Sequence, residues 1–303
     1  MNILILGGTG FLGKNCARAL SETHNVFVSG YENNSQIDHS LLSLKLSETD
    51  KIIDFIESNN IDLVMHLVST LLPSSSEEDY ISDIQNVYNP TLTLLEYCAK
   101  NKIRLVFFSS GGVIYGNSDC NFSEEMICNP ISYYGLSKLN IENAISFYHR
   151  VYNLEYLIIR PSNPYGKGQN IYGRQGLIAV IMGKILNNLP IEIWGDGTVV
   201  KDYIYIDDFV FYIKALIEES CVWNTVFNIG SGVGTSVNDV IKVFENNNII
   251  LPKIKYLMHK NTDVSRMILN CNKLNKLIPH KCKSITEGVL EFWNYIKEDS
   301  DDK

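Results

Sequence analysis

The first half of the chain alternates short apolar runs with longer segments whose apolar residues recur at helical spacing. The apolar runs are residues 2–6, 26–28, 62–66, 104–108 and 155–160. Unbroken apolar runs of this length are typical of parallel strands that are buried on both faces. The segments between them, for example residues 14–20 and 50–58, show the spacing of amphipathic helices. This alternation predicts a doubly wound α/β fold with a parallel sheet and right-handed crossovers.

The pattern loosens after residue 160, where prolines and glycines mark loops and turns. A later apolar run, residues 226–230, predicts a sixth parallel strand. We therefore expect a first domain made of residues 1–160 with returns near 203–230, and a smaller lobe made mainly of residues 161–303. Before the fourth strand we expect a long helix that is broken or shifted near Pro90.

A glycine-rich turn follows the first predicted strand at once. Gly7, Gly10 and Gly13 are spaced three apart and lead into a helical segment. In a strand–turn–helix unit, such glycines permit the tight turn, the approach of the backbone to a pyrophosphate and the close packing of helix on strand. The free N–H groups at the helix N-terminus, at Phe11 and Leu12, attract phosphate. The sequence therefore predicts that residues 1–160 form a dinucleotide-binding domain.

A second motif consists of Tyr134 and Lys138, four residues apart. If this segment opens a helix, both side chains lie on one face. An ammonium group close to a phenol favours the phenolate, so we expect the pKa of Tyr134 to fall from its usual value of about 10. Such a phenol can act as a general acid or base near neutral pH.

Composition and charge disfavour several classes of function. The net charge of -8 and the scattered Lys and Arg residues offer no basic stripe to a nucleic acid. No apolar run reaches the length of a membrane span, and a strand that begins at residue 2 leaves no room for a signal peptide. The seven cysteines form no Cys-xx-Cys pair. They predict reduced thiols in a cytoplasmic protein, with neither a disulfide framework nor a metal site.

The order of these motifs resembles that of the extended short-chain dehydrogenase/reductase superfamily. Within it the chain is similar to the nucleotide-sugar epimerases, dehydratases and 4-ketoreductases, such as UDP-glucose 4-epimerase. Further matching segments are His66 at the end of a strand and residues 107–116, 160–166 and 202–208. The resemblance covers nearly the whole chain. It implies a Rossmann-type fold, a nicotinamide cofactor and a nucleotide-sugar substrate that binds to the smaller lobe.

The cofactor implied by the resemblance is NAD or NADP, and the choice between them stays open. NAD-binding folds usually place an acidic residue after the second strand, but this chain has Gly30 there and Glu32 two residues later. The glycine leaves room for a 2′-phosphate, yet no Arg stands beside it. By resemblance, further cofactor contacts come from Leu67, Val68, Ser69, Asn86, Ser109, Tyr134, Lys138 and Pro161.

The same resemblance gives Tyr134 and Lys138 their expected roles. Tyr134 exchanges a proton with the C4 oxygen of the sugar, and Lys138 also binds the nicotinamide ribose. The family has a Ser or Thr four residues before a Tyr-Gly pair; that position falls on Gly111, and Ser110 is the nearest substitute. Dehydratases of the family follow this hydroxyl with an acidic pair that residues 112–113 lack, so a 4,6-dehydratase is disfavoured.

The substrate contacts implied by the resemblance lie in the smaller lobe. They are Asn163, Gln175, Gly176, Leu177, Trp194, Lys201 and Lys260. Relatives hold the diphosphate with two arginines, and Lys201 and Lys260 stand at those positions. Because lysine supplies charge without the bidentate fork of arginine, we expect diphosphate binding and leave its geometry open.

Two reactions fit these residues. A 4-ketoreductase of a dTDP-4-keto-6-deoxyhexose, in deoxysugar or surface-polysaccharide synthesis, needs one proton and one hydride. A 4-epimerase of UDP-glucose or UDP-GlcNAc needs tightly held NAD, and its relatives use the hydroxyl that is missing at Gly111. That loss, together with the missing acid at Gly30, favours the reductase. A non-catalytic, cofactor-sensing regulator is a third alternative, but such proteins usually lose the Tyr or the Lys.

The resemblance also implies a homodimer that forms through a four-helix bundle. Two helical stripes predict the shared surface. They are Leu92, Leu95 and Ala99 on one helix and Ile141, Ile145 and Tyr148 on the other.

Overall fold

The structure is a computed structural model that describes residues 1–30, 41–173, 175–219, 221–258 and 266–301. The chain divides into two compact units. The first unit consists of Met1–Gly116, Glu124–Pro161 and Tyr212–Phe227, and the second of Asn117–Ser123, Ser162–Phe211 and Asn228–Lys303. The domain boundary expected from the sequence, after residue 160, lies next to the end of Glu124–Pro161.

The strands and helices follow the chain in this order. The described strands are β1 (Asn2–Leu6), β2 (Asn25–Ser29), β3 (Leu41–Leu42), β4 (Leu63–His66), β5 (Arg104–Phe108), β6 (Tyr156–Pro161), β7 (Asn163–Tyr165), β8 (Ile191–Trp194), β9 (Val200–Tyr205), β10 (Thr225–Ile229), β11 (Gly234–Ser236), β12 (Ile254–Leu257) and β13 (Arg266–Met267). The described helices are α1 (Phe11–Leu20), α2 (Thr49–Ser58), α3 (Glu77–Asp83), α4 (Asn89–Asn101), α5 (Tyr133–Tyr152), α6 (Leu177–Leu186), α7 (Ile206–Glu218), α8 (Val237–Asn246), α9 (Asn272–Leu277) and α10 (Ile285–Asp301), with a π-helical turn (Ile84–Tyr88) between α3 and α4.

The largest sheet confirms the predicted Rossmann-type fold. Its described strands have the order β10-β6-β5-β4-β1-β2-β3. Parallel pairings join β1 to β2 and to β4, β4 to β5, and β5 to β6. The chain moves outward from β1 in both directions, so the order reverses between β1 and β4. Ligands of such sheets bind outside the carboxyl ends of the strands at this reversal.

The long helix before β5 is irregular near Pro90, as the sequence predicted. The irregularity is a π-helical turn at Ile84–Tyr88, which ends two residues before the proline. Pro90 follows this turn, in the first turn of α4, and because proline has no N–H it cannot donate a hydrogen bond to the preceding helical residues. A wider turn of this kind is often found near functional sites.

The core of the first unit includes residues that were predicted to face a second copy of the chain. Leu95, Ala99, Ile141 and Ile145 are buried in the cluster beside the sheet, so their assignment to a dimer surface is wrong. Helical spacing alone does not say which partner a face packs against. On α5 the exposed apolar residues are instead Phe147, Val151 and Tyr152.

The second unit contains smaller sheets around β9. Strand β9 pairs with β7, β11 and β13, and β8 pairs with β12. The buried carboxylate of Asp202 in β9 accepts hydrogen bonds from the Ser231 hydroxyl (2.7 Å) and from the N–H groups of Ser231, Gly232 and Leu269 (2.9, 3.1 and 3.3 Å). These bonds join three segments of the unit. Among the described helices of the whole chain, none is long and apolar enough to cross a membrane.

Candidate active site

The glycine-rich turn lies between β1 and α1 and is hydrogen-bonded to β2. The N–H groups of Gly7 and Gly8 both donate to the Ser29 carbonyl, at 3.0 and 2.9 Å. Gly7 has a φ of 79°, a conformation that other residues rarely adopt. A Cβ on Gly13 would lie 2.5 Å from the Gly8 Cα, so only glycine lets the helix pack so closely on the turn.

Helix α1 begins with backbone N–H groups that have no place in the helical ladder. Its first intrahelical bond runs from the Lys14 N–H to the Gly10 carbonyl at 2.9 Å. The N–H groups of Phe11, Leu12 and Gly13 therefore precede the hydrogen-bonded part of the helix. Within this fully described helix, the first turn has no acidic side chain. These donors and the positive end of the helix dipole suit a phosphate group.

The segment after β4 packs against the glycine turn. A Cβ on Gly7 would lie 3.1 Å from the Leu67 carbonyl carbon and 3.1 Å from the Val68 nitrogen. The Leu67 N–H donates to the Leu6 carbonyl at 2.9 Å, and Ser69, which continues the segment, is exposed. The structure thus brings residues 67 and 68 directly against Gly7.

Gly30 follows β2, and the Thr9 side chain packs against it. A Cβ on Gly30 would lie 2.1 Å from Thr9 Oγ1 and 2.5 Å from Thr9 Cγ2. The expectation that Gly30 leaves room for a 2′-phosphate is therefore wrong for the space that a side chain at this position would occupy, because Thr9 fills it. Glu32, the acidic residue nearest in sequence, lies outside the described residues.

Tyr134 and Ser110 meet where β5 ends and α5 begins. Ser132 caps the helix, because its Oγ accepts the Gly135 N–H at 3.1 Å. The half-buried Tyr134 phenol is hydrogen-bonded to the Ser110 hydroxyl, and Ser110 Oγ also accepts the Gly112 N–H at 3.3 Å. The strand end and the helix start therefore bring two of the predicted catalytic groups into contact.

Lys138 is deeply buried, with 4% of its surface exposed. Its Nζ donates to the Phe108 carbonyl at 3.0 Å and lies 3.5 Å from the Val68 carbonyl. Burial lowers the pKa of Lys138 to about 8, although the negative charges of Asp83 and Glu142 act in the opposite direction. The ammonium group is thus fixed by the last residue of β5 and by the segment that follows β4.

The pKa of Tyr134 corrects an expectation from the sequence. Burial raises this pKa above its ordinary value, and the hydrogen bond with Ser110 offsets part of the rise. The prediction that Lys138 lowers the pKa of Tyr134 is wrong for the chain without a bound cofactor. Lys138 Nζ lies 5.9 Å from the centre of the Tyr134 ring, and its hydrogen bonds go to backbone carbonyls. Tyr134 is therefore a protonated phenol at neutral pH.

A buried carboxylate that the sequence did not indicate lies in the same unit. Asp83, the last residue of α3, accepts hydrogen bonds from Ser137 Oγ (2.6 Å) and Thr70 Oγ1 (2.5 Å). No spacing or local pattern links these three residues, because their contact depends on the packing of three separate segments. The negative charge of Asp83 acts on Lys138.

His66 at the end of β4 is a buried, neutral histidine. Its Nε2 lies 2.9 Å from Thr91 Oγ1, and that hydroxyl donates to the Val87 carbonyl at 2.6 Å. Because the hydroxyl proton is used in this way, His66 Nε2 is the donor to Thr91. Burial lowers the pKa of His66 to about 3, and the charge of Lys138 acts in the same direction.

Three other predicted cofactor residues differ in their surroundings. The carbonyl of Pro161, at the end of β6, accepts the Gly111 N–H at 2.8 Å. The Ser109 hydroxyl is buried and has no hydrogen-bond partner among the described residues. Asn86 is exposed, and its amide donates to the Ser82 carbonyl at 2.9 Å. The structure therefore turns Asn86 toward its own helix.

A buried ion pair joins β6 to α5. Arg160 Nε and Nη2 donate to the two carboxylate oxygens of Glu142 at 3.0 and 2.6 Å. Arg160 Nη1 donates to the Tyr115 hydroxyl at 2.8 Å. A bidentate pair of this kind fixes orientation as well as distance. It anchors the helix one turn after Lys138.

The second unit contains the predicted substrate residues that the structure describes. Asn163 begins β7, and its amide donates at 2.8 Å to the carbonyl of Asp202, the residue after Lys201 in β9. Strands β7 and β9 thus bring Asn163 next to the backbone that carries Lys201. Trp194 ends β8 and has 46% of its surface exposed.

The remaining predicted substrate residues lie where α6 begins. Gln175 is exposed, Gly176 precedes the helix with a φ of 86°, and Leu177 is its first residue. The positive φ of Gly176 favours glycine at this position, and a Cβ there would also displace the end of the Gln169 side chain, 2.4 Å away. Lys260 lies outside the described residues.

Asp208, His280 and Cys282, also in the second unit, have potential metal-ligand atoms within 4.8 Å of one another. His280 Nε2 lies 2.7 Å from Asp208 Oδ1, and Asp208 Oδ2 accepts the Lys283 N–H at 2.9 Å. The carboxylate thus has a hydrogen-bond partner at each oxygen. We assign no metal to this cluster.

The sequence also matches a known protein family. The profile of the NAD dependent epimerase/dehydratase family matches residues 3–230. This range spans most of the chain and includes both the glycine turn and the Tyr134–Lys138 helix. The chain belongs to the NAD dependent epimerase/dehydratase family.

Known proteins similar to this chain have more than one activity. The dTDP-4-dehydro-6-deoxyglucose reductase of Escherichia coli is 33% identical over 258 residues, which are 80% of this chain and 80% of the relative. The UDP-glucose 4-epimerase of Mycolicibacterium smegmatis is 27% identical over 257 residues, 79% of this chain and 80% of the relative. A crystal structure of Thermotoga maritima UDP-glucose 4-epimerase with UDP-glucose is 30% identical and has a TM-score of 0.90, covering 99% of this chain and 100% of that one.

The residues of the first unit fit the dinucleotide cofactor of the NAD dependent epimerase/dehydratase family. The turn at Gly7 and Gly13 is closed to any side chain, and the N-terminal donors of α1 suit a pyrophosphate. The buried Ser109 hydroxyl, without a partner among the described residues, offers a further polar contact. Binding of the cofactor at the carboxyl ends of the strands would place it near Lys138 and Ser110.

Proposed function

We propose that the protein is an NAD(P)-dependent 4-ketoreductase of a nucleotide-diphosphate sugar, with a dTDP-linked 4-keto-6-deoxyhexose as substrate. The observation that carries this proposal is the half-buried Tyr134 phenol in contact with Ser110. The ordinary pKa of a phenol is about 10 and burial raises that of Tyr134 further, so this group can donate a proton at neutral pH. A reduction needs a proton donor at the sugar oxygen, whereas the oxidation that begins an epimerisation needs a base.

The side chains of this chain have separate roles in the proposed reaction. The Tyr134 hydroxyl gives its proton to the C4 oxygen of the sugar as negative charge develops there. The Ser110 hydroxyl orients that oxygen and stabilises the phenolate that remains. Lys138 supplies a nearby positive charge, which also favours the phenolate after transfer. When bound, the nicotinamide cofactor supplies the hydride.

We assign cofactor binding to the first unit. Gly7, Gly10 and Gly13 and the N–H groups of Phe11 and Leu12 would receive the pyrophosphate. The flanking positions Gly30, Leu67, Val68, Ser69, Ser109, Lys138 and Pro161 would line the rest of the dinucleotide. Asn86 is the weakest member of this set, because its amide bonds its own helix.

We assign substrate binding to the second unit. The side-chain amide of Asn163 donates to the carbonyl of Asp202, next to Lys201, at 2.8 Å. From this position Asn163 would contact the nucleotide diphosphate, and Lys201 would supply positive charge. The exposed Trp194 suits stacking against a base. Gln175, Gly176 and Leu177 would contact the phosphates and base, and Lys260 keeps its predicted role as the second phosphate-binding lysine.

The 33% identity to the E. coli dTDP-4-dehydro-6-deoxyglucose reductase supports this choice of reaction and substrate. A UDP-glucose 4-epimerase is the second candidate. It is favoured by the fold match to the T. maritima enzyme, which covers 100% of that chain at a TM-score of 0.90. Both candidates act at C4 and use the same first-unit residues.

The proposal is tested by turnover of dTDP-4-dehydro-6-deoxyglucose with NADPH or NADH, measured as oxidation of the reduced cofactor. Tyr134→Phe should lower kcat by about 10²–10⁴, the usual effect of losing a general acid. Tyr133→Phe is the matched control, because its ring stacks on Tyr80 and should remain there. Equal turnover by wild type and Tyr134→Phe would remove Tyr134 from this role.

The nucleotide that the purified protein retains separates the two candidates. Denaturation followed by chromatography identifies any dinucleotide that is released. Tightly held NAD, together with interconversion of UDP-glucose and UDP-galactose, would favour the epimerase. A site that takes up added NADPH and turns over the keto sugar would favour the reductase.

We further infer a homodimer in the cytoplasm. None of the seven cysteines, all of which lie within the described residues, forms a disulfide bond, as expected in a reducing compartment. The exposed Phe147, Val151 and Tyr152 of α5 give an apolar surface that a second copy could cover.

A further inference from the structure

The buried carboxylate of Asp83 has no role in the reaction described above. Asp83 has 2% of its surface exposed. Thr70 Oγ1 donates to one of its oxygens at 2.5 Å and Ser137 Oγ to the other at 2.6 Å. Both partners are neutral hydroxyls, so these bonds satisfy the oxygens and leave the charge in place. A buried ionised carboxylate is costly unless an opposite charge nearby compensates it.

The two hydroxyls belong to the segments that surround Lys138. Thr70 lies two residues after Val68, whose carbonyl is 3.5 Å from Lys138 Nζ. Ser137 is the neighbour of Lys138 in α5. Asp83 therefore joins the segment after β4 to the helix that carries the catalytic side chains, through one side chain.

A second contact supports this connection between α3 and α5. The Tyr80 and Tyr133 rings are stacked with centres 5.3 Å apart. The Asn140 amide donates to the Tyr80 hydroxyl at 2.9 Å. The π-helical turn Ile84–Tyr88 begins directly after Asp83. Tyr80 and Asp83 thus both connect α3 to α5.

The charges that act on Lys138 come from different elements of the unit. Asp83 in α3 and Glu142 in α5 are the negative groups, His66 in β4 is the neutral titratable neighbour, and the phenol of Tyr134 is protonated. Arg160 binds both oxygens of Glu142 and offsets its charge. Asp83, in contrast, is hydrogen-bonded to two neutral hydroxyls, and none of its described hydrogen bonds goes to a cation.

We propose that Asp83 is a positioning residue for Lys138, which orients the lysine through Thr70 and Ser137 and keeps its side chain charged in a buried site. The mechanistic meaning of this proposal rests on the proposed function, in which Lys138 stabilises the phenolate of Tyr134. The coupling between Asp83 and Lys138 can be measured without cofactor or sugar.

The test is the unfolding equilibrium of wild type and Asp83→Asn in urea at several pH values. Asparagine has nearly the shape of aspartate but no charge. If the variant lowers the pKa of Lys138 by about one unit, as loss of a nearby opposite charge does, its folded state becomes harder to protonate. The ratio of the two unfolding constants should then grow about tenfold between about pH 9 and about pH 6, equal to about 1.4 kcal/mol.

Two controls separate charge from structure. Glu155→Gln removes one negative charge from an exposed pair with Arg104, and its ratio to wild type should not change over this pH range. Ser137→Ala removes one hydrogen bond of Asp83 but keeps the charge, so its loss of stability should be constant with pH. In a Lys138→Met background, Asp83→Asn should lose the pH-dependent part of its effect.

A loss of stability in Asp83→Asn that does not vary with pH would overturn the proposal, as would a pH-dependent part that survives in Lys138→Met. If Asp83→Asn yields too little folded protein, Asp83→Ser tests the same loss of charge. Failure of the proposed function looks different. A pH-dependent coupling in a protein that turns over no nucleotide sugar would leave the Asp83–Lys138 pair standing and refute the reaction.

Discussion

Replacing Gly30 with aspartate should change which nicotinamide dinucleotide the protein prefers. A carboxylate at the end of β2 would accept the ribose 2′-hydroxyl of NADH and repel the 2′-phosphate of NADPH. Because the wild type lacks this group, we expect it to use NADPH at least as well as NADH. Gly30→Asp should shift the preference toward NADH by about 1–2 kcal/mol, which is about five- to thirtyfold.

The structure shows that this substitution also has a steric cost. A Cβ on Gly30 would lie 2.1 Å from Thr9 Oγ1 and 2.8 Å from Thr9 Cβ. Even the Cβ atom of Thr9 would therefore be too close to the new Cβ at position 30, so Thr9 or the glycine-rich turn must move. Crowding of this kind costs about 1–3 kcal/mol in folding stability. Gly30→Ala measures the crowding alone, and Thr9→Gly combined with Gly30→Asp removes it.

The assay is the ratio of kcat/KM for NADPH and NADH in the wild type, in the single variants and in the double variant. Crowding weakens both cofactors alike and cancels in the ratio, whereas the carboxylate acts on their difference. A wild type that rejects NADPH by more than about a hundredfold would contradict the reasoning. It would show that another group replaces the missing acid, and it would favour the NAD-dependent epimerase. Unchanged urea stability of Gly30→Ala would refute the crowding by Thr9.

Three further predictions concern catalysis, pH and assembly. Ser110→Ala should lower kcat by about 10²–10³, the usual loss for one hydrogen-bond donor at a reacting oxygen, and unchanged turnover would exclude Ser110 from the reaction. The pKa of His66 in the folded protein is lowered to about 3 from an ordinary 6.5, so the unfolded chain takes up a proton at a higher pH than the folded one. The free energy of unfolding should therefore fall as the pH drops from about 6.5 to about 3, by up to about 1.4 kcal/mol per pH unit. His66→Gln should flatten that part of the curve of urea stability against pH, and an equally steep curve would contradict the assignment. Light scattering should find a dimer that Val151→Glu dissociates and that Ile250→Glu, exposed in the second unit, leaves intact; a monomeric wild type would refute the dimer.

Much of the fold was predictable because the strands of the largest sheet are buried on both faces. Such strands appear in the sequence as unbroken apolar runs, and the observed bounds of six of them differ from the predicted ones by one residue or none; the two-residue strand β3 was not predicted. Gly7 and Gly13 were predictable for a related reason, since each meets a backbone contact that only glycine allows. The π-helical turn was not predictable, because a change in helical pitch leaves the apolar spacing almost intact.

The site was less predictable where it depends on tertiary burial. The spacing of Tyr134 and Lys138 indicates that they share a helix face, but not that Lys138 Nζ bonds the Phe108 carbonyl at 3.0 Å. Spacing also gives no sign that burial, and not the lysine, dominates the pKa of Tyr134. Asp83 carried no signal at all, because its partners lie 13 and 54 residues away in the chain.

The stoichiometry of the reaction tests the central claim most directly. Purified protein, dTDP-4-dehydro-6-deoxyglucose and an excess of NADPH or NADH are incubated to completion, and the reduced cofactor consumed is compared with the sugar converted. A 4-ketoreductase consumes one reduced cofactor for each sugar, and this is the result that we predict. Conversion of UDP-glucose to UDP-galactose without net consumption of cofactor, and no conversion of the keto sugar, would contradict the reductase and establish the epimerase in its place.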